Sequence, residues 1–319
     1  MVELAIAGGS GQVAREIIDA LLATGNHNIT ILTRNDTPAN HDLPGVRWRV
    51  VNYNDQNLLV EALREIHTLL SFIQPLSDPE GKIQKTLIDA AIAAGVKRFV
   101  PSEYGSAGTI DMPWWSGKER TREYLRQVNT KSKQKVLEYV LFQPGLFLDY
   151  LAFPYKTSKH IDPLQSIFDF QSCRAIVVDG HEDAIMTLTS ARDVAALVAR
   201  AVDYQGRWPE VGGISGNRMS VAQIIATGQG IRGRPFTIEK VRLEDLEAGV
   251  LKTSWALGKR HHSISEEQAN NVATTVSIGI LLSSSKGAWD VSTELNQLFP
   301  EYEFDDMEGF LARVWDGKS

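Results

Sequence analysis

One cysteine, Cys173, stands in 319 residues. A lone thiol excludes an internal disulfide framework, fits a reducing compartment, and reads as a buried or inert side chain rather than a nucleophile. The sequence also lacks any apolar run near the roughly 20 residues that a membrane helix needs and any block of like charge. Its formal net charge of −6 argues against the basic surface of a nucleic-acid binder. Several chemical motifs are missing too. No His-Glu-x-x-His or paired cysteine spacing supports a metal, no Gly-x-Ser-x-Gly elbow marks a hydrolase, and no Walker-type lysine follows the N-terminal glycines. His160 and His181 are isolated and read as local hydrogen-bonding residues. His261-His262 precede Ser263-Ile264-Ser265-Glu266, which reads as a helix start with a capping box. What remains is an ordinary globular composition, 43% hydrophobic and 23% charged, long enough for a large α/β unit with an accessory lobe. Residues 1–8 lack a basic leader region and run straight into glycines, so they read as a first strand rather than a signal peptide. A cytoplasmic protein is expected.

What the sequence does contain is periodicity. Apolar, β-rich runs near 3–7, 28–32, 47–51, 68–72, 98–101 and 139–143 alternate with helical stretches, the pattern of a parallel sheet covered on both faces. The clearest helix is predicted over 84–94, where Leu87, Ile88, Ala91 and Ile92 recur at helical spacing and Gly95 is the stop. After Pro144 the texture changes. Residues 151–184 are aromatic, carry Pro154 and Pro163, and show no strong period. A helix is predicted over 187–204, a short strand over 210–215, capped helices over 220–228 and 242–249, and an amphipathic helix at the end of 292–315.

The strongest local signal is Gly8-Gly9-Ser10-Gly11-Gln12-Val13-Ala14, directly after the first strand and opening a helix. Gly8 permits the tight turn, Gly11 lets a pyrophosphate approach the backbone, and Ala14 keeps the helix close to the sheet. The helix start adds free N–H groups and a favourable dipole. At the end of the second strand, where an acidic residue would hold the ribose 2′-hydroxyl of NAD, the chain places Arg34. A guanidinium matches a 2′-phosphate, which favours NADP(H); a solvated strand-end arginine and a competing Asp36 are the alternatives. The expected fold is therefore α/β, a Rossmann-type doubly wound parallel sheet with a smaller α+β substrate lobe. Residues 1–150 form the NADP-binding domain, with 185–215 returning to it; 151–184 and 216–319 form the substrate lobe.

Short-chain dehydrogenases carry Tyr-x-x-x-Lys on the helix before the sixth strand. The one match, Tyr155-Lys156-Thr157-Ser158-Lys159, follows that strand and reads as coincidence in a surface loop. The helix in question contains Trp114-Trp115-Ser116-Gly117-Lys118, with Trp114 at the tyrosine's place. Tyrosine-dependent hydride transfer is not expected. Gln84-Lys85-Thr86-Leu87-Ile88-Asp89-Ala90-Ala91 and Gly95-Val96-Lys97-Arg98-Phe99-Val100-Pro101-Ser102-Glu103-Tyr104-Gly105 resemble the isoflavone-reductase-like group of the NmrA-like, atypical short-chain dehydrogenases. Gln143-Pro144-Gly145-Leu146-Phe147-Leu148-Asp149-Tyr150 resembles the family's sixth strand and the loop beyond it. The likeness is strong over the first 150 residues and thinner afterwards, resting on 187–198 and 220–249.

The resemblance implies a lysine general acid/base in a Lys-x-x-x-Arg-Arg spacing. Lys118 and Arg122 match its first two positions, and Glu123 departs from the third. It thus implies Lys118 as proton donor or acceptor, Arg122 and Ser102 at the cofactor, and NADPH or NADP held by the glycine loop and Arg34. A lysine desolvated beside aromatic rings could titrate near neutral pH; a surface lysine in a basic run is the plainer reading. Trp114, Trp115, Phe147, Tyr150 and Phe153 could wall a pocket for a flat or aromatic substrate, or serve as core at a lobe junction. Three functions follow: a reductase acting on a small aromatic or conjugated substrate, a dinucleotide-sensing regulator without turnover, and a non-redox isomerase or cyclase on the same scaffold.

Overall fold

The computed structural model describes residues 1–34, 45–130, 136–257 and 266–318. Six parallel strands form the main sheet: β1 (Val2–Ala7), β2 (His27–Thr33), β3 (Val46–Val50), β4 (Thr68–Ser71), β5 (Arg98–Val100) and β6 (Glu138–Tyr139), in the order β3-β2-β1-β4-β5-β6. The order reverses at β1, so the crevice of this doubly wound sheet lies above β1 and β4. The helices between these strands are α1 (Gln12–Thr24), α2 (Gln56–Ala62), α3 (Lys82–Ala94) and α4 (Ser116–Thr130). Ile17, Ile18 and Leu21 of α1 are buried against one face of the sheet, and Leu87, Ile88 and Ala91 of α3 against the other. Each large apolar side chain removed from water contributes about 1.5–3 kcal/mol, so these stripes hold the layers together. The predicted stop at Gly95 caps α3.

The sixth predicted strand is two strands. β6 pairs with β5, the chain breaks at Val140, and β7 (Leu141–Gln143) pairs in parallel with β12 (Val211–Gly213). Between them come β8 (Leu146–Phe147), β9 (Phe168–Asp169), β10 (Arg174–Val178), β11 (Ile185–Thr189) and α5 (Ala191–Asp203). The helix predicted from 187 begins later: residues up to Thr189 pair with β8, and the Ser190 hydroxyl accepts the Asp193 N–H to cap α5. α5 and its buried Val194, Leu197 and Val198 join the core beneath α1. Beyond β12 lie β13 (Asn217–Ser220), α6 (Val221–Arg232), β14 (Thr237–Val241), α7 (Leu243–Glu247), α8 (Glu266–Ser285), α9 (Glu294–Leu298) and α10 (Met307–Trp315). Ser220 and Gln223 make the capping box of α6. The predicted capping box before Glu266 lies outside the described residues. β9, β10, β14, α6, α8 and α10 share a second core, containing Phe168, Phe170, Ile176, Trp289 and Trp315.

Candidate active site

The glycine loop is shaped by close approach. Gly8 has φ +77°, and a Cβ there would lie 2.8 Å from the Phe72 carbonyl carbon; at Gly9 it would lie 2.7 Å from Ile31 Cγ2. No side chain caps α1, whose N-cap is Gly11, so its first amides are left without a side-chain acceptor next to the crevice that Gly11 lines. Ser10 is exposed, Val13 half-buried and Ala14 fully buried. The Gln12 side chain turns elsewhere: its amide donates to Asp162 at 2.6 Å and accepts the Asp162 N–H. Only its backbone remains for a ligand. Above the loop opens a cavity of about 280 Å³, walled by Leu32, Thr33, Arg34, Trp48, Tyr53 and the 72–74 segment. Arg34 is exposed at its mouth, and among the described residues none lining it is acidic. Asp36 lies outside the described residues. Tyr53 was not visible as a site residue in the sequence; its hydroxyl donates to the Leu32 carbonyl at 2.9 Å, and burial pushes the phenol up to about 12. Trp48 was missed for the same reason: only its pairing opposite Ile31 of β2 brings it to the crevice.

Lys118 lies in the first turn of α4 and is 5% exposed, so it is not a solvated lysine of a basic run. Its Nζ donates to the Glu103 carbonyl at 2.5 Å and sits 3.6 Å from the Trp115 ring centroid. Burial lowers its pKa to about 7, opposed by the Glu103 carboxylate and aided by the Arg122 cation. A Cβ at Gly105 would lie 2.7 Å from Trp115 and 3.3 Å from Lys118 Nζ, so glycine is what lets the indole settle over the amine. Ser102, half-buried, lines a narrow cleft with Ile73, Glu103 and Lys118. Ile73 also lines the cavity above the glycine loop, which puts the two spaces side by side at the sheet edge.

Arg122, expected at the cofactor, is committed within the protein. Nε and Nη2 grip the Glu103 carboxylate at 3.0 and 2.6 Å, and Nη1 donates to the Ala107 carbonyl at 3.0 Å. With its donors so engaged it ties α4 to the 103–107 loop.

The five aromatic candidates separate. Trp115 covers Lys118 and meets Trp289 at 5.9 Å; Trp114 lies edge-on to Trp115 and packs on Gly279 of α8. Phe147 is sunk in the core beneath α1 and α5. Tyr150, edge-to-face with Phe147, touches both the sheet core and the second core, and burial raises its phenol pKa. Phe153 is half-buried before a cis proline and joins none of these ring contacts. Tyr155 packs on Trp315 while Lys159 binds Asp19, so the Tyr-x-x-x-Lys match does not assemble. Cys173 is buried, its Sγ accepting from Arg234 Nε. No helix among the described residues is long and apolar enough to cross a membrane.

The chain resembles known proteins along its whole length. The NmrA-like family profile matches residues 2–311. The oxidoreductase BOA1 of Botryotinia fuckeliana is 30% identical over 306 residues, covering 94% of this chain and 95% of that protein. The oxidoreductase swnN of Metarhizium robertsii is 25% identical over 339 residues, covering 99% and 98%. Among solved structures, the NADPH-dependent quinone oxidoreductase QOR2 of Escherichia coli, complexed with NADPH, superimposes with a TM-score of 0.70 at 21% identity, covering 98% of this chain and 99% of that one.

Proposed function

The chain belongs to the NmrA-like family, and from that premise we propose that it is an NADPH-dependent reductase in which Lys118 is the general acid/base. One observation carries the reading: a buried lysine with a pKa of about 7 lies beside a glycine-walled crevice whose mouth holds an arginine. The names of the curated relatives, both oxidoreductases, and the NADPH held by the structural neighbour support it.

The residues fit the cofactor. Gly8 and Gly9 leave backbone where a Cβ would collide, the α1 amides await a pyrophosphate, and Arg34 matches a 2′-phosphate with no competing acid among the described lining residues. When bound, the reduced nicotinamide supplies a hydride. The chain supplies the rest. Lys118 Nζ, held by the Glu103 carbonyl, gives or takes a proton at a substrate heteroatom. A pKa near the working pH keeps both protonation states accessible. Trp115, half-buried and backed by Trp289, covers the amine and offers a flat apolar ring, which fits an aromatic or conjugated substrate.

The test is the affinity of the purified protein for NADPH, NADP, NADH and NAD, followed by NADPH oxidation with a panel of quinones and conjugated carbonyl compounds. Tight NADPH binding with turnover that Lys118→Met removes supports the reading. Binding without turnover across the panel would favour a dinucleotide-sensing role, and absence of binding would sink both.

A further inference from the structure

Lys118 stands in a closed circuit of contacts that no single segment provides. Its amine is held by the Glu103 main-chain carbonyl, and the Glu103 carboxylate is gripped by Arg122, one turn further along α4. Arg122 reaches on to the Ala107 carbonyl, while the Ala107 N–H donates to the Ala288 carbonyl at 2.9 Å. Ala288 adjoins Trp289, which meets Trp115, and Trp115 lies on the amine. The circuit therefore runs from the sheet edge through the second core and back.

We propose that the Glu103–Arg122 pair is a positioning device for Lys118: through one residue, Glu103, it fixes where the amine sits and sets how readily it holds a proton. The inference rests on the reading of Lys118 as the acid/base group. Two features of the geometry carry it. Glu103 is 3% exposed and Arg122 8%, so their charges act on the amine with little solvent screening. Among the described residues the carboxylate also has no other cation on it: its two oxygens take Nε and Nη2 of Arg122 side by side, leaving the main-chain oxygen of the same residue for Lys118. A bidentate fork of this kind fixes orientation as well as distance.

The remaining charged groups near the amine are accounted for. Asp78 lines the same cleft, and its carboxylate accepts the Gln84 N–H. Glu119 reaches Arg122 from the solvent side. Tyr104 is a neutral phenol whose pKa burial raises far above the ordinary range. From the second core the group facing the circuit is the Trp289 indole, and Lys286 is tied to Asp111 and Glu247. Opposing control of Lys118 thus falls to the two members of one ion pair.

This arrangement makes opposite effects from the two halves of one pair, which loss of structure alone would not produce. The full-length protein, labelled with 13C at lysine Cε, is titrated by NMR, and the Lys118 resonance is identified by its loss in Lys118→Met. In Glu103→Gln the unpaired Arg122 cation moves the Lys118 midpoint to lower pH by about one unit; in Arg122→Met the unpaired Glu103 carboxylate moves it to higher pH by about one unit. The double replacement, which leaves no unpaired buried charge, returns the midpoint towards the wild-type value and serves where a single variant folds poorly. Shifts of the same sign, or no shift in either single variant, would overturn the proposal. No substrate is needed. If the opposite shifts appear while NADPH oxidation is never observed, the positioning device stands and the reductase reading falls.

Discussion

The crevice above the glycine loop has the short segment from Gly8 to Gly11 along one side and opens to solvent at Arg34, whereas Lys118, at the neighbouring sheet edge, is held by the Glu103 main-chain carbonyl and covered by the Trp115 ring, with Gly105 leaving them room. The glycine loop is one short segment, and its amides are groups that any sequence with the same turn would present. The lysine site needs a glycine at 105, a glutamate at 103 and tryptophans at 115 and 289 to converge. In the proposed reductase, binding would rest on local geometry and proton chemistry on tertiary assembly, so the two should fail separately.

The sharpest separation is expected from Lys118→Met. Loss of a positioned acid/base group lowers turnover by roughly 10²–10⁴-fold, while NADPH affinity, set at the other site, stays within a factor of two. The same variant should be more stable than the wild type at low pH. The native Lys118 site has a pKa of about 7, against 10.5 for an ordinary lysine. Between those values the unfolded chain carries a proton that the native site lacks, so wild-type stability rises with pH across that window. At pH 6 the native chain must bury a charge, and Met removes that cost; near pH 10.5 the advantage disappears. Urea denaturation at both pH values checks this. A variant less stable at pH 6 than at pH 10 relative to wild type would contradict the burial argument.

Arg34→Ala should act on the other side of the comparison. Removing a charge-assisted contact worth about 1.5–3 kcal/mol weakens NADPH binding by roughly 10–100-fold and leaves NADH unchanged. Isothermal titration of the two reduced cofactors measures it. An equal loss for both would mean that Arg34 supports the loop rather than reading a 2′-phosphate.

How much of each site could be read beforehand follows from the same contrast. Strand–glycine–helix order is local, and the six-strand parallel sheet, the crevice above β1 and the stop at Gly95 were legible in residue pattern alone. Lys118 was legible only through family likeness, because its run Lys118-Glu119-Arg120-Thr121-Arg122 has the composition of a solvated face. For a related reason the contact made by Arg122 was hidden: spacing cannot show that a glutamate 19 residues earlier will take its guanidinium. Gln12 likewise belonged to the motif, yet its side chain is taken by Asp162, 150 residues away. The helix drawn from 187 begins only at Ala191 because Thr187 and Thr189 pair in β11 before Ser190 caps the turn. In each case a long-range partner overrode a local signal.

A pH profile offers a smaller effect that bears on mechanism. Where Lys118 donates the proton, the active form is the ammonium, so turnover with saturating NADPH is flat below about pH 7 and falls about tenfold per unit above it. Run in the reverse direction, with NADP, the slope reverses. A profile flat from pH 6 to 9 in both directions would show that no group titrating near 7 takes part.

The smallest effect is expected where the short-chain dehydrogenase pattern is matched by accident. Tyr155 and Lys159 have the right spacing, but the ring of Tyr155 packs edge-to-face on Trp315 at 5.3 Å, and the amine of Lys159 lies at the surface on Asp19. A surface ion pair of this sort contributes about 0–1 kcal/mol, and neither group adjoins the crevice or the cleft beside Lys118. Tyr155→Phe and Lys159→Met should therefore each change NADPH-dependent turnover by less than twofold. If either abolished turnover while Lys118→Met did not, proton transfer would have to be relocated to the face of α1, and the buried lysine would lose its chemical role. The comparison holds only if the motif that looks catalytic is silent and the lysine that looks ordinary is not.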